Sequence, residues 1–547
     1  MEEEDNLNWE QERAILLEKK EPELASYHLE EGRKKQGERI VKEILKEDEE
    51  KNKIEKERKE LQELEDFKKK QEQHEKQKII DKSKISCLYG NIITALALKK
   101  RSQATEMMVE YIEKNNHIYT TKNDLKSEMW IYDDGIYRPN GKSCITEICR
   151  IVLGEVFTSH FVNEVISKIE ADTYIEGEKF FQNNYIDEVP VINGILNLKT
   201  KKIKSFNPEK VFFNKIQAKY NPKARCPSIT KHFSDVLKNE NDVKVMFEIF
   251  GFLLYKDYFI EKAIMFMGDG RNGKGKTIDL MKRFLGADNC CSVPLKSLDD
   301  GGFRVWDLFG KMANLAGDLS SNALKDTSTL KQTTGRDLIG ADRKNLSTIN
   351  FVNYAKHIFA CNELPKVYDF SRGFWERWIL FEFPYTFVKQ EVYNNLDQKD
   401  KKSFKIMNPF IVDTLTTEEE LSGLLNESIE GLHRILKQKD FSYSVGVEEV
   451  KKFWVRKSDS FTAFAMDNLE ESYTGKISKA NLRKSFYLYC KEFKLKGASD
   501  KNIKVVLEEM FGVTDRQESE GDKERVWEGV KLREKSKYNF TGKLSQE

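Results

Sequence analysis

The chain has 547 residues, with 92 Lys and Arg against 91 Asp and Glu for a net charge of +1. At about 150 residues per domain this is three or four domains, and the near-neutral balance excludes a uniformly basic polyanion binder, so any nucleic-acid surface must be a local patch or be built by assembly. A charged fraction of 33% and no apolar run near about 18 residues exclude a membrane span; the acidic start lacks the basic head and apolar core of a signal peptide, which points to the cytoplasm of a host cell or a viral replication site.

The eight cysteines are scattered, with no C-x-x-C pair and no histidine at ligand spacing, so reduced thiols are expected rather than a metal site or disulfides. Residues 1–82 are dominated by Glu, Lys and Gln, and no Pro or Gly interrupts residues 51–82. That composition predicts a charged helical leader, and Ile54, Leu61, Leu64 and Phe67 are too sparse for a heptad seam. From residue 83 the composition turns globular. Residues 130–137 alternate around Asp134-Gly135 and predict a β-hairpin, in which Asp133 and Asp134 are turn residues rather than a metal-binding pair. A second strand and turn is expected over residues 191–198. Pro222 and Pro227 mark a boundary, closing an α+β accessory domain at 83–225. Residues 233–255 carry apolar positions at helical spacing and lead into a domain at 226–388.

That domain opens on an apolar run, residues 263–267, which breaks into Gly268-Asp269-Gly270-Arg271-Asn272-Gly273-Lys274-Gly275-Lys276-Thr277. Strand, glycine loop and helix in this order form a phosphate-loop (Walker A) pattern: backbone N–H groups turn toward phosphate oxygens, the helix adds the positive end of its dipole, and a lysine neutralises charge. Two registers fit. The strict spacing makes Lys276 the phosphate lysine and Thr277 the Mg²⁺ hydroxyl; the loop that leaves directly from the strand end makes it Lys274, with Gly275 in the hydroxyl position.

Further strands are expected at 312–316 and 357–360, and together they predict a parallel sheet buried on both faces. The first ends at Asp318, a candidate Mg²⁺ ligand and water-orienting acid. The second ends before Asn362, placed where ligands collect in open α/β sheets. Arg377, among aromatics, is a candidate for charge neutralisation across a subunit boundary, with Arg372 in reserve. Residues 389–450 read as a helical connector. Residues 451–547 hold two or three short helices closed by a hairpin, which suggests a winged-helix-like module.

The ordered set of Gly268, Gly270, Asn272, Gly273 and Lys274, a strand ending at Asp318, Thr334-Gly335-Arg336-Asp337, Arg343-Lys344, Cys361-Asn362-Glu363-Leu364-Pro365 and Trp375-Glu376-Arg377-Trp378 resembles the superfamily 3 helicase domain of the phage/plasmid and poxviral primase-helicase family. Asn193-Gly194-Ile195-Leu196-Asn197-Leu198 and Tyr220-Asn221-Pro222 resemble the accessory domain preceding such helicases. The resemblance implies an AAA+-type P-loop core that binds ATP and Mg²⁺, assembles as a homo-oligomeric ring, usually a hexamer, and translocates on single-stranded and fork DNA, with a separate primase or replication protein as a further partner. It makes Lys274 the Walker A lysine, Asp318 the Walker B acid, Asn362 the sensor and Arg377 an arginine finger acting in trans. Residues 338–351 become a channel hairpin in which Arg343 and Lys344 meet phosphates. Lys331 and Arg336 add local positive charge beside them. The chain departs from the family in Gly275, in the single acid after the Walker B strand, and in lacking a recognisable primase domain at its amino end. A non-helicase AAA+ motor, such as a DNA-packaging ATPase, and an ATP-switched DNA-binding initiator are the competing readings.

Overall fold

The computed structural model describes residues 85–121, 127–181, 185–299, 303–317, 324, 326–343, 346–367, 369, 371–493, 495, 497–517, 525–534 and 536. The expected leader at 1–82, Asp318 and Lys344 lie outside them. The described residues fall into two compact units, one drawn from 85–110 and 148–162 and one from 111–147 and 163–536. The described part of the first is largely helical, with Ile92, Ala104, Met108 and Val152 buried. Everything below concerns the second.

Its amino-terminal part is a four-stranded sheet. Glu128–Asp133 pairs antiparallel with Ile136–Arg138, closing Asp133 onto Ile136. The turn needs two residues of positive φ, which Asp134 at 47° and Gly135 at 92° provide. Asp133 is held 3.1 Å from Arg138, and Asp134 pairs with Lys215. Ile118–Thr121 lies on the other side of Glu128–Asp133, followed by Tyr174–Ile175. The second predicted turn joins Glu188–Val191 to Gly194–Asn197.

The strands of the central sheet are β1 (Ala263–Met267), β2 (Cys290–Cys291), β3 (Ala313–Ala316), β4 (Lys356–Cys361) and β5 (Trp378–Glu382), in the order β5-β1-β4-β3-β2. Every pairing is parallel. Every residue of β1, β3 and β4 is buried, so both faces must be covered, and the two-residue side-chain period divides them. Ile264 and Phe266 face a core with Phe233, Phe250, Leu280, Phe284 and Leu432. Met265 and Met267 face a second core with Leu330, Phe374, Trp375 and Trp454.

The first core is built by helices α1 (Pro227–Val236), α2 (Glu240–Leu254), α3 (Lys274–Leu285) and α4 (Glu418–Gln438). Helix α4 falls in the stretch read as a connector, yet it is a core element. It approaches α2 so closely that a Cβ at Gly251 would sit 2.3 Å from the Ser428 carbonyl, and one at Gly431 would sit 2.5 Å from that of Phe247. Glu248, fully buried on α2, accepts from Arg434 at 3.0 Å and from the Ser442 hydroxyl at 2.7 Å. The proline-marked segment also packs on α4: Asn426 Nδ2 donates to the carbonyls of Asn221 and Ala224.

Lys356 opens β4 with no exposed surface, its Nζ donating to the Tyr255 carbonyl and lying over the Phe252 ring at 4.7 Å. Burial pushes its pKa from 10.5 down to about 7. A lysine whose folded pKa is depressed destabilises the fold fully below that value, and the penalty fades as pH approaches 10.5. Lys356→Met is therefore expected to raise Tm by several degrees at pH 6, and by much less at pH 10, in parallel melts.

Beyond α4, helix Val447–Ser458 carries Trp454 into the second core, where its Nε1 donates to the Pro365 carbonyl at 2.8 Å, while Val455 joins the carboxyl-terminal core. The boundary drawn at 450 thus falls within a helix that serves both cores. The remainder runs helix Ser460–Asn468, strand Leu469–Ser478, helices Lys479–Phe493 and Asp500–Phe511, then strands Thr514–Gln517 and Arg525–Leu532. Arg525–Leu532 lies between the other two strands.

Candidate functional site

The glycine-rich loop joins β1 to α3. Gly270, Arg271 and Gly273 have φ of 99°, 49° and 93°, a left-handed run that turns the chain sharply before the helix starts at Lys274. Gly273 is also required by space, since a Cβ there would come 2.6 Å from the Val236 side chain. The loop is anchored from the segment after β5: Phe387 N donates to the Arg271 carbonyl at 2.7 Å, and the buried Asn272 donates to that of Phe383 at 3.4 Å. Asp269 and Gly275 are exposed.

Of the two lysines, Lys274 is the one turned into the loop. It is 7% exposed, and its Nζ donates to the Gly268 carbonyl and, at 3.1 Å, to Asn362 Oδ1. Lys276 lies on the outer face of the helix, 3.9 Å from Asp279. Asn362 reaches Lys274 because β4 is hydrogen-bonded to β1, with Cys361 opposite Met267. The strand leading to Asp318 runs beside β4, with Ala316 opposite Phe359, so it ends at the same edge of the sheet.

Thr277 does not join this group. Its side chain has no exposure, its hydroxyl donates to the Gly273 carbonyl, and it lies 3.2 Å from His232 Nε2. Burial pushes the His232 pKa down to about 4, so the imidazole is neutral at pH 7 and the pair is an internal hydrogen bond. The sequence carried no signal for it, because the partners are 45 residues apart.

Arg377 lies at the opposite edge of the sheet. Its carbonyl accepts from Ala263 N at 2.6 Å, which puts it at the amino ends of β1 and β5, about 16 Å from the loop at ~3.3 Å per strand residue. Lys274 and Arg377 therefore do not meet within one chain. The guanidinium is anchored by the Thr334 hydroxyl at 2.9 Å, the Gly373 carbonyl and the Glu261 carboxylate. Arg372 is exposed and pairs with Glu376 at 2.6 Å.

The expected hairpin forms: Leu338–Arg343 pairs antiparallel with Leu346–Val352, with Arg343 opposite Leu346. The four basic residues do not share it. Lys331 is on the preceding helix, Ser328–Thr334, and pairs with Asp369 at 2.6 Å. Arg336, in the following turn, pairs with Asp257. Each of these two cations thus has a carboxylate partner within its own chain. Among the described residues, no helix is long and apolar enough to cross a membrane, and no group of acidic, His and Cys side chains could hold a metal ion.

These features define a multidomain α/β protein with a glycine loop and a lysine–asparagine pair at the carboxyl edge of a parallel sheet. Residues 95–238 match the family described as D5 N terminal like, and residues 266–376 match a family of unknown function (DUF5906), a span holding the loop, Asn362 and the hairpin. Among solved structures, the apo structure of the NrS-1 C-terminal region is similar at 14% identity, over 77% of this chain and 97% of that one, with a TM-score of 0.38. An A-form apo structure of the same region is similar at 15% identity, over 77% and 98%, with a TM-score of 0.37. Among curated proteins, none matches.

Proposed function

We propose that the chain is an ATP-dependent replicative DNA helicase that works as a ring-shaped homo-oligomer, a hexamer by family resemblance, in the replication of a virus, plasmid or integrated element. The observation that carries this reading is the contact between Lys274, on a left-handed glycine loop, and Asn362, on the neighbouring strand. A nucleotide with Mg²⁺ fits this place, because the loop is wound so that only glycine serves at Gly273, and a cation stands at the start of a twelve-residue helix. Hydrolysis there is phosphoryl transfer to water, achieved by positioning and charge stabilisation.

In this reading Gly268, Asp269, Gly270, Arg271, Asn272 and Gly273 wrap the phosphates, Lys274 neutralises the outer ones, and Asn362 orients the water. Asp318 holds the metal. Thr277 would do so only after exchanging its bond to His232. The placement of Arg377 away from its own loop supports action on a neighbour's nucleotide. The helix–strand–helix–helix–strand–strand order after Asp459 supports a winged-helix module for duplex DNA or a replication partner, following an ATPase domain at 226–388 and an accessory domain at 83–225.

The test is ATP-driven strand displacement on a forked substrate, with ATPase rates measured with and without single-stranded DNA. Unwinding that needs ATP is expected. ATPase activity without displacement would favour a non-helicase motor, and slow hydrolysis indifferent to DNA would favour a switched initiator. Arg343→Ala is expected to reduce the stimulation of ATPase by DNA at least fivefold while sparing the DNA-free rate; stimulation equal to wild type would remove the hairpin from the DNA path.

A further inference from the structure

The hairpin of residues 338–352 is rooted on helix Ser328–Thr334 at both of its ends. It departs from the helix through Gly335 and Arg336, and on its return Asn353 Nδ2 donates to the Thr333 carbonyl at 2.7 Å. Thr333 is itself fixed to the parallel sheet. Its hydroxyl lies 3.0 Å from Nε2 of the buried His357 on β4, whose Nδ1 lies 3.1 Å from Nδ2 of Asn314 on β3.

The same helix also grips the segment that carries Arg377, at two points about one turn apart. Lys331 donates to Asp369 at 2.6 Å and to the Ser371 hydroxyl at 3.1 Å, and the Thr327 hydroxyl donates to the same carboxylate. Three residues on, the Thr334 hydroxyl accepts from Arg377 Nε at 2.9 Å. Positions three apart share one face of a helix, so a single face holds both ends of the 369–377 segment. Between those ends, Ser371 N donates to Asp369 at 2.8 Å, and Phe374 and Trp375 are buried in one core with Leu330. Thr334 has no exposed surface and the Arg377 side chain is 15% exposed, so separating the two would leave a largely buried donor without its acceptor.

The way the guanidinium is held leaves it able to act elsewhere. It has five N–H groups, and among the described residues three are used, one each from Nε to Thr334, from Nη1 to Gly373 and from Nη2 to Glu261. One N–H on each terminal nitrogen is left for an oxyanion, while Thr334 fixes the group through the nitrogen that has only one N–H to give. We propose that Lys331 and Thr334 are positioning residues for Arg377: together they clamp the arginine segment to the root of the hairpin, so that hydrolysis on a neighbouring subunit responds to where the hairpin stands. The proposal rests on the helicase reading, and it gives Lys331 a role other than meeting DNA phosphates.

The test is steady-state ATPase kinetics of the full chain with and without single-stranded DNA, for Lys331→Met, Thr334→Val and Thr334→Ser, beside oligonucleotide affinity over a salt series and Tm. In Lys331→Met and Thr334→Val, kcat is expected to fall at least about tenfold, as misplacing a catalytic group by about 1 Å does, and stimulation by DNA to be lost. The KM for ATP, the oligonucleotide affinity and its salt slope stay at wild-type values. Thr334→Ser, which keeps the acceptor, behaves as wild type, and neither of the other two lowers kcat further in an Arg377→Ala background. Further loss on top of Arg377→Ala marks a purely structural role and overturns the proposal. So does a Lys331→Met that keeps kcat but binds DNA more weakly, with a salt slope smaller by about one. Wild-type kcat or full DNA stimulation in Thr334→Val, with Arg377→Ala inactive, overturns it and leaves the helicase reading standing. No hydrolysis by wild type, or full hydrolysis by Arg377→Ala, overturns both.

Discussion

Lys274→Ala is expected to lower ATP hydrolysis at least about a hundredfold while the far-ultraviolet circular dichroism spectrum stays that of the wild type. The expected size follows from removing one preorganised charge from a site of phosphoryl transfer, a change that costs ~10²–10³ in rate. The fold survives because the ammonium, not the methylene stem, makes the contacts with Gly268 and Asn362, and the alanine remains a good helix former at the start of α3. Lys276→Ala is the paired control. Its ammonium stands on the outer face near Asp279, so hydrolysis should stay within about twofold of wild type, the order of effect of an exposed pair. If Lys276→Ala were the silent enzyme and Lys274→Ala the active one, the register would be the other one.

If the proposed ring forms, Arg377→Ala is expected to abolish most of its hydrolysis and to do so dominantly. An arginine supplied across a boundary is worth ~10³–10⁵ in rate, and a ring containing some variant subunits has interfaces that lack it. Titrating the variant into wild type should therefore depress the rate more steeply than dilution does. Since Arg377 is tied to Glu261 and Thr334 in its own chain, a purely local role is the rival explanation. Glu261→Gln separates the two: it weakens the local ion pair, so hydrolysis is retained if the arginine acts on a neighbour and falls with Arg377→Ala if the ion pair is what matters. Linear dilution in the mixing experiment would remove the trans assignment.

Local signals were legible in the sequence and distant partnerships were not. The Asp134-Gly135 turn, the buried runs of β1, β3 and β4, and the start of the helix beyond the glycine loop are set by neighbours in the chain, and each formed where residue type and spacing required. Lys274 was separable from Lys276 only once the end of β1 was known, because both lie at plausible distances from a glycine. Lys331 and Arg336 read as free cations since their carboxylates, Asp369 and Asp257, are 38 and 79 residues away. The same blindness hid the His232–Thr277 bond. Helix α4 looked like a connector because its apolar stripe says that it packs, but not on what; Gly251 and Gly431 become meaningful only when two backbones are seen to approach.

The buried carboxylate of Glu248 has a practical consequence for dissecting the chain. A fragment ending at 388 would carry α2 but lose Arg434 and Ser442, leaving an acid in an apolar interior with three of its donors removed and the cover over Phe250 and Phe233 gone. Such a fragment should be recovered aggregated or loosely packed, however intact its glycine loop. Extending it to Ser458 restores the donors, the α4 cover and the Trp454 plug together, making that helix end the sensible place to cut.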